Sequence, residues 1–85
     1  MVRRYASHYI CLSPDHYLRQ HVVETIDGQA GKVYPLEGEP EDVEWLPGVI
    51  ALAEDPDGIV RAYHFYPYDF TALRPVDETQ RRQLP

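Results

Sequence analysis

Residues 2 to 12, VRRYASHYICL, alternate with period two. Tyr5, Ser7, Tyr9 and Cys11 fall on one side, and Ala6, His8, Ile10 and Leu12 on the other. That period is the signature of a strand. The same pattern predicts a second strand over residues 17 to 26 and a short one over Lys32 to Leu36. An apolar strand is expected over Val49 to Glu54, and a further one over Ile59 to Tyr66. Turn chemistry separates them: Ser13-Pro14-Asp15-His16, Asp27-Gly28 with Gly31, and Asp55-Pro56-Asp57-Gly58. Proline presets φ, aspartate bonds its own backbone, and Gly58 can take the left-handed conformation of a bulged hairpin. Pro67-Tyr68-Asp69-Phe70 reads as a turn or bulge. No window carries a helical stripe. The pattern predicts an all-β domain over residues 1–75, a small sandwich or open barrel of five or six short, mostly antiparallel strands. Residues 76–85 read as a polar tail or a short frayed helical turn.

With Pro14-Asp15 at the tip of the first hairpin, Leu12 faces Tyr17, Cys11 faces Leu18, and His8 lies opposite His21. Opposed side chains have Cβ atoms roughly 4.5 to 5.5 Å apart, which brings the two imidazoles within reach of each other. Cys11 has the other parity and points away, and His16 sits in the turn.

Neither face of these strands is cleanly polar, although an open sheet in water shows apolar-in, polar-out alternation. Mixed faces predict cover on both sides, and a chain of 85 residues has little material to supply it. Self-association or a protein partner is an economical solution. Seven tyrosines are many for this length, and tyrosine and tryptophan suit interfaces. Trp45, Tyr63, Phe65, Tyr66 and Tyr68 are therefore interface candidates, with a small sandwich or barrel core as the other home for these rings.

Charge narrows the partners. Fourteen acids against eight Lys and Arg give a formal net charge of −6, which repels a polyanion, so nucleic acid is not an expected partner. Five of the acids lie in 37-EGEPEDVE-44, a run that reads as a solvated loop. No stretch approaches the ~20 apolar residues that cross a bilayer as a helix. No membrane association is expected, and the cytoplasm is the expected location. One cysteine excludes an intramolecular disulfide.

Four reactive groups fall in SHYICLSPDHYLRQH, residues 7 to 21. A structural zinc site wants four ligands and a catalytic one three plus water. Strand parity offers two histidines on one face, so His8 and His21 need His64 or a distant acid to complete a set. No CxxC, HxH, HExxH or calcium-loop pattern is present, and no cofactor is implied. Cys11 and His8 lie on opposite faces, whereas a nucleophile and its base must approach to ~3 Å. No nucleophile elbow or phosphate loop stands in the chain, so no enzyme is expected.

The order RYASHYICLSPDHYLRQHVVETIDGQAGKVYPL, acidic linker, EWLPGVIAL resembles the N-terminal strands of amidohydrolase-superfamily enzymes. The features that carry it are HYI, VVETIDG, GKVYPL and the Pro47-Gly48 step. The resemblance implies a small β-sandwich of the kind that flanks a metal-dependent (β/α)₈ barrel. Members carry a His-x-His metal motif after their Pro-Gly step; here Val49-Ile50-Ala51-Leu52 follows, so no catalytic residue carries over. The expected function is a non-enzymatic binding or assembly module, homodimeric or with a protein partner. The alternative is a small-molecule or metal-binding domain using the His- and Tyr-bearing face.

Overall fold

The computed structural model describes residues 1–13, 16–37, 42–69, 72 and 74–85. The Pro14-Asp15 hairpin tip, residues 38–41 of the acidic run and Phe70 lie outside the described residues. The described chain is all-β. Its strands are β1 (Val2–Ala6), β2 (Tyr9–Ser13), β3 (His16–Arg19), β4 (His21–Ile26), β5 (Gln29–Pro35), β6 (Val43–Trp45), β7 (Val49–Glu54), β8 (Val60–Asp69) and β9 (Arg74–Gln83). They form two separate sheets, ordered β5-β4-β1-β6 and β3-β2-β7-β8-β9, that do not close into a barrel.

The two longest expected strands are each divided. Residues 2 to 12 leave the first sheet after Ala6 and enter the second at Tyr9. Residues 17 to 26 make the matching crossing at Gln20, whose φ is +55°. A third crossing, Leu46-Pro47-Gly48, joins β6 to β7. The first and third passes run side by side in the same direction, which makes β1–β6 and β2–β7 parallel pairs. One bent layer of three passes thus contributes to both sheets.

The hairpin register differs from expectation by one residue. Tyr9 faces Arg19, Ile10 faces Leu18 and Cys11 faces Tyr17; Ser13 then faces His16, leaving Leu12 as the additional residue of a bulge. The same register continues in the first sheet, with Tyr5 opposite Val23, Ala6 opposite Val22 and Arg4 opposite Glu24. The expected register would have set Tyr5 against Glu24 and Ile10 against Arg19. The observed one pairs apolar with apolar and closes an Arg4–Glu24 ion pair at 3.2 Å. A slip of one would exchange the faces of one strand, so burial decides the register.

The core between the sheets is Tyr5, Ile10, Val23, Leu46, Ile50, Ala62 and Leu84. Leu84 corrects the reading of residues 76–85 as a loose tail. Residues 74–83 form β9, an edge strand paired antiparallel with β8. Beyond it the Leu84 amide donates to the Ala62 carbonyl at 2.9 Å, and the Leu84 side chain is 0% exposed. The Pro85 carbonyl oxygen accepts from the hydroxyls of Thr25 at 2.7 Å and Tyr5 at 3.1 Å. β9 is polar without a break over residues 77–83 and exposed along most of its length, as suits an edge strand that faces solvent.

One further difference follows from pairing across the fold. Val43 and Glu44, read as the end of the acidic loop, form strand β6 with Trp45 because Arg4 to Ala6 offer a parallel edge. At Pro67, read as a turn or bulge, Pro67 to Asp69 continue β8 through a register shift between Tyr66 and Tyr68. The turn at residues 55–58 is as expected: the Gly58 amide donates to the Asp55 carbonyl at 2.8 Å, and Gly58 has a φ of +83°.

Candidate functional site

Where the first and third passes change sheets, they are fastened to each other. Ser7 is fully buried, and its hydroxyl oxygen lies 2.6 Å from the Leu46 carbonyl and 2.7 Å from that of Gly48. One proton serves both acceptors in turn. The Gly48 amide donates to His8 Nδ1 at 3.3 Å. The Pro47 carbonyl accepts from His64 Nε2 at 2.5 Å. These two backbone groups belong to a single peptide unit, so the histidines hold it from opposite sides. An amide donor and a carbonyl acceptor also fix where the protons are: His8 Nδ1 is bare, and His64 Nε2 carries a hydrogen.

Each imidazole then meets an exposed aromatic ring. His8 packs edge-on against Trp45 with centroids 5.2 Å apart. His64 stacks on Tyr66 at 6.4 Å and an interplanar angle of 11°. Trp45, His8, the Pro47–Gly48 peptide, His64 and Tyr66 thus follow one another in a row, with Trp45 52% and Tyr66 51% exposed at its ends.

The expected opposition of His8 and His21 is not found, because the register is shifted by one, with Arg19 opposite Tyr9 where Gln20 was expected, and His21 pairs instead with Pro35 of β5. His21 Nδ1 lies 2.7 Å from the Arg19 carbonyl. His8, His21 and His64 do not converge. Among the described residues no group of three or more His, Cys, Asp or Glu is placed to hold a metal ion. Cys11 pairs with Tyr17, not Leu18, and is partly exposed.

The interface candidates divide between two surfaces. Trp45 and Tyr66 stand on the row just described. Tyr63, Phe65 and Tyr68 belong to the outer face of the second sheet. Tyr63 is only 7% exposed. Its hydroxyl donates to Asp55 at 2.5 Å, and the Arg81 guanidinium lies 3.9 Å over its ring. It is a structural residue, not a contact surface. Asp55 also takes Arg61 Nε at 2.7 Å, while Arg61 reaches Asp57 at 3.1 Å and the Gly28 carbonyl at 3.3 Å. This bridge from the second sheet to the β4–β5 turn was not read from the sequence. The Asp55-Pro56-Asp57-Gly58 text showed the turn, but only the distant Gly28 carbonyl completes the arginine's contacts.

The outer face of the second sheet is apolar and aromatic at its centre and bordered by Arg19 over Tyr9 and Arg81 over Tyr63. Register places Tyr9, Val49 and Phe65 in one cross-strand row, and Tyr17, Cys11, Ala51 and Tyr63 in the next. The Tyr17 and Tyr68 hydroxyls meet at 3.2 Å. That hydrogen bond, with burial, raises the Tyr17 pKa above the ordinary tyrosine value. Burial chiefly raises that of the Cys11 thiol, whose Sγ lies 2.8 Å from the Ser13 carbonyl.

Comparison with protein-family models, with curated proteins and with solved structures found no match to this chain, so the resemblance to amidohydrolase-superfamily sandwiches rests on its quoted residues alone.

Proposed function

We propose that this chain is a small non-enzymatic binding and assembly module that self-associates through the surface bearing Trp45 and Tyr66. The observation that carries this reading is the row Trp45–His8–peptide–His64–Tyr66. Two large rings, each about half exposed, are held by hydrogen-bonded imidazoles on a backbone crossing where Ser7, Leu46 and Gly48 are buried. Tryptophan and tyrosine dominate the energetics of protein contacts, and rings fixed beforehand lose little freedom on binding. A two-fold contact presents the same patch on both copies, so a row ending in two exposed aromatic rings can face itself.

Trp45 is the only tryptophan, so its fluorescence reports this surface alone. Emission should shift to the blue and acrylamide quenching should weaken as protein concentration rises, with Tyr66→Ala abolishing the change. An emission spectrum independent of concentration up to the solubility limit would sink the self-association reading.

A further inference from the structure

The peptide unit between Pro47 and Gly48 makes its two histidines chemically unequal. His64 donates to the Pro47 carbonyl through Nε2, and a proton added at its other nitrogen leaves that bond in place. His8 accepts from the Gly48 amide through Nδ1 at 3.3 Å, and an imidazolium carries N–H donors at both nitrogens and no acceptor. His8 is exposed, so solvent protons reach it. We propose that His8 is a pH-sensitive fastening of this surface: a proton taken up at Nδ1 breaks the bond from the Gly48 amide, frees the Trp45 ring packed on the imidazole, and weakens association. The last of these steps rests on self-association through Trp45 and Tyr66.

The groups around the row set the sign. On β6, Trp45 packs against His8, while Glu44 pairs with Tyr5 and so lies on the other face of that strand. His64 has Ile50 of β7 opposite it on one side and Arg82 of β9 on the other. A proton on His64 therefore adds to the charge of Arg82. In a two-fold contact the surface meets itself, so each charge gained is met by its own copy, and like charges across an interface oppose association. The assembled state thus favours the neutral imidazole and binds fewer protons than the separate chains. Association is strongest at the alkaline end of the range in which histidine changes charge and weakens as pH falls through it. Each proton that must leave on association changes the constant by up to about tenfold per pH unit.

The test compares sedimentation equilibrium of the full chain at about pH 8 and about pH 5.5, near the two ends of that range, with amide NMR of the isotopically labelled chain in between. The wild-type association constant should fall roughly tenfold or more on acidification, and the Gly48 amide resonance should move together with the His8 ring protons. His8→Asn offers an uncharged acceptor in place of Nδ1 and should lose most of that fall, whatever its affinity; His64→Gln should keep it. The same fall in His8→Asn would assign the effect to other groups and overturn the inference. Equal association of the wild type at both pH values would overturn it too, while leaving self-association intact. A chain monomeric at both would end the self-association reading instead, and the Gly48 amide then decides alone. An amide that follows the His8 titration upholds the fastening, and one that ignores it sinks the inference. These wild-type results hold whether or not either variant folds.

Discussion

A Cβ built on Gly48 would stand 2.2 Å from the Phe65 carbonyl oxygen, and the backbone there has a φ of +102°. Any side chain meets both a steric overlap with backbone and an unfavourable conformation. Gly48→Ala should therefore destabilise the fold by about 3 kcal/mol, the upper end for ordinary single substitutions. Urea denaturation checks this, and a loss below about 1 kcal/mol would mean the crossing relaxes freely. Two tyrosines carry a pH dependence. Hydrogen bonding to Asp55 raises the Tyr63 pKa, and hydrogen bonding to Tyr68 raises that of Tyr17. The folded state favours their neutral forms, so their stabilising effect is complete below the unfolded tyrosine value of about 10 and is lost as pH rises through the higher folded values. The urea midpoint should fall in that alkaline window, and less steeply in a Tyr17→Phe, Tyr63→Phe double variant. An equally steep fall in the variant would assign the effect to other groups.

At the scale of elements, the strands were legible and their ends were not. Period-two alternation placed nearly every strand, because half-buried strands must alternate. It could not show that residues 2 to 12 and 17 to 26 each cross between sheets, since neither the bend at His8 nor Gln20, with its φ of +55°, carries a glycine or proline to mark it. The register did carry a signal: only the observed pairing sets Arg4 against Glu24 and Tyr5 against Val23. Anchoring the hairpin on its Pro-Asp turn missed it, because the bulge at Leu12 absorbs one residue between turn and sheet. Strand β9 escaped because residues 77–83, DETQRRQ, are polar without a break, so no alternation marks them, and the core residue Leu84 follows the strand. Burial of that leucine gives a sharp expectation. Leu84→Ala should cost about 3 kcal/mol, as core leucine truncations do, whereas a loose tail would cost close to nothing. Thermal or urea unfolding of the two chains separates these outcomes.

For the whole molecule, the sequence brought Trp45 and Tyr66 forward as contact residues and His8 and His64 as ligands, without connecting the two sets. What joins them is a backbone peptide, Pro47–Gly48, and backbone groups leave no mark in a sequence beyond the glycine itself. The sandwich is thin, with principal extents of 35 × 33 × 21 Å, so much of its aromatic content lies near a surface. Fixed rings at such a surface suit association, and Trp45→Ala should weaken it by about 2 kcal/mol or more, as truncation of an interface anchor does. Sedimentation equilibrium of the wild-type chain and of Trp45→Ala, up to high micromolar concentration, is the most direct measurement. A wild-type mass rising with concentration towards that of two chains, with the variant remaining at one, is the predicted result; a wild-type chain that stays monomeric throughout would contradict it.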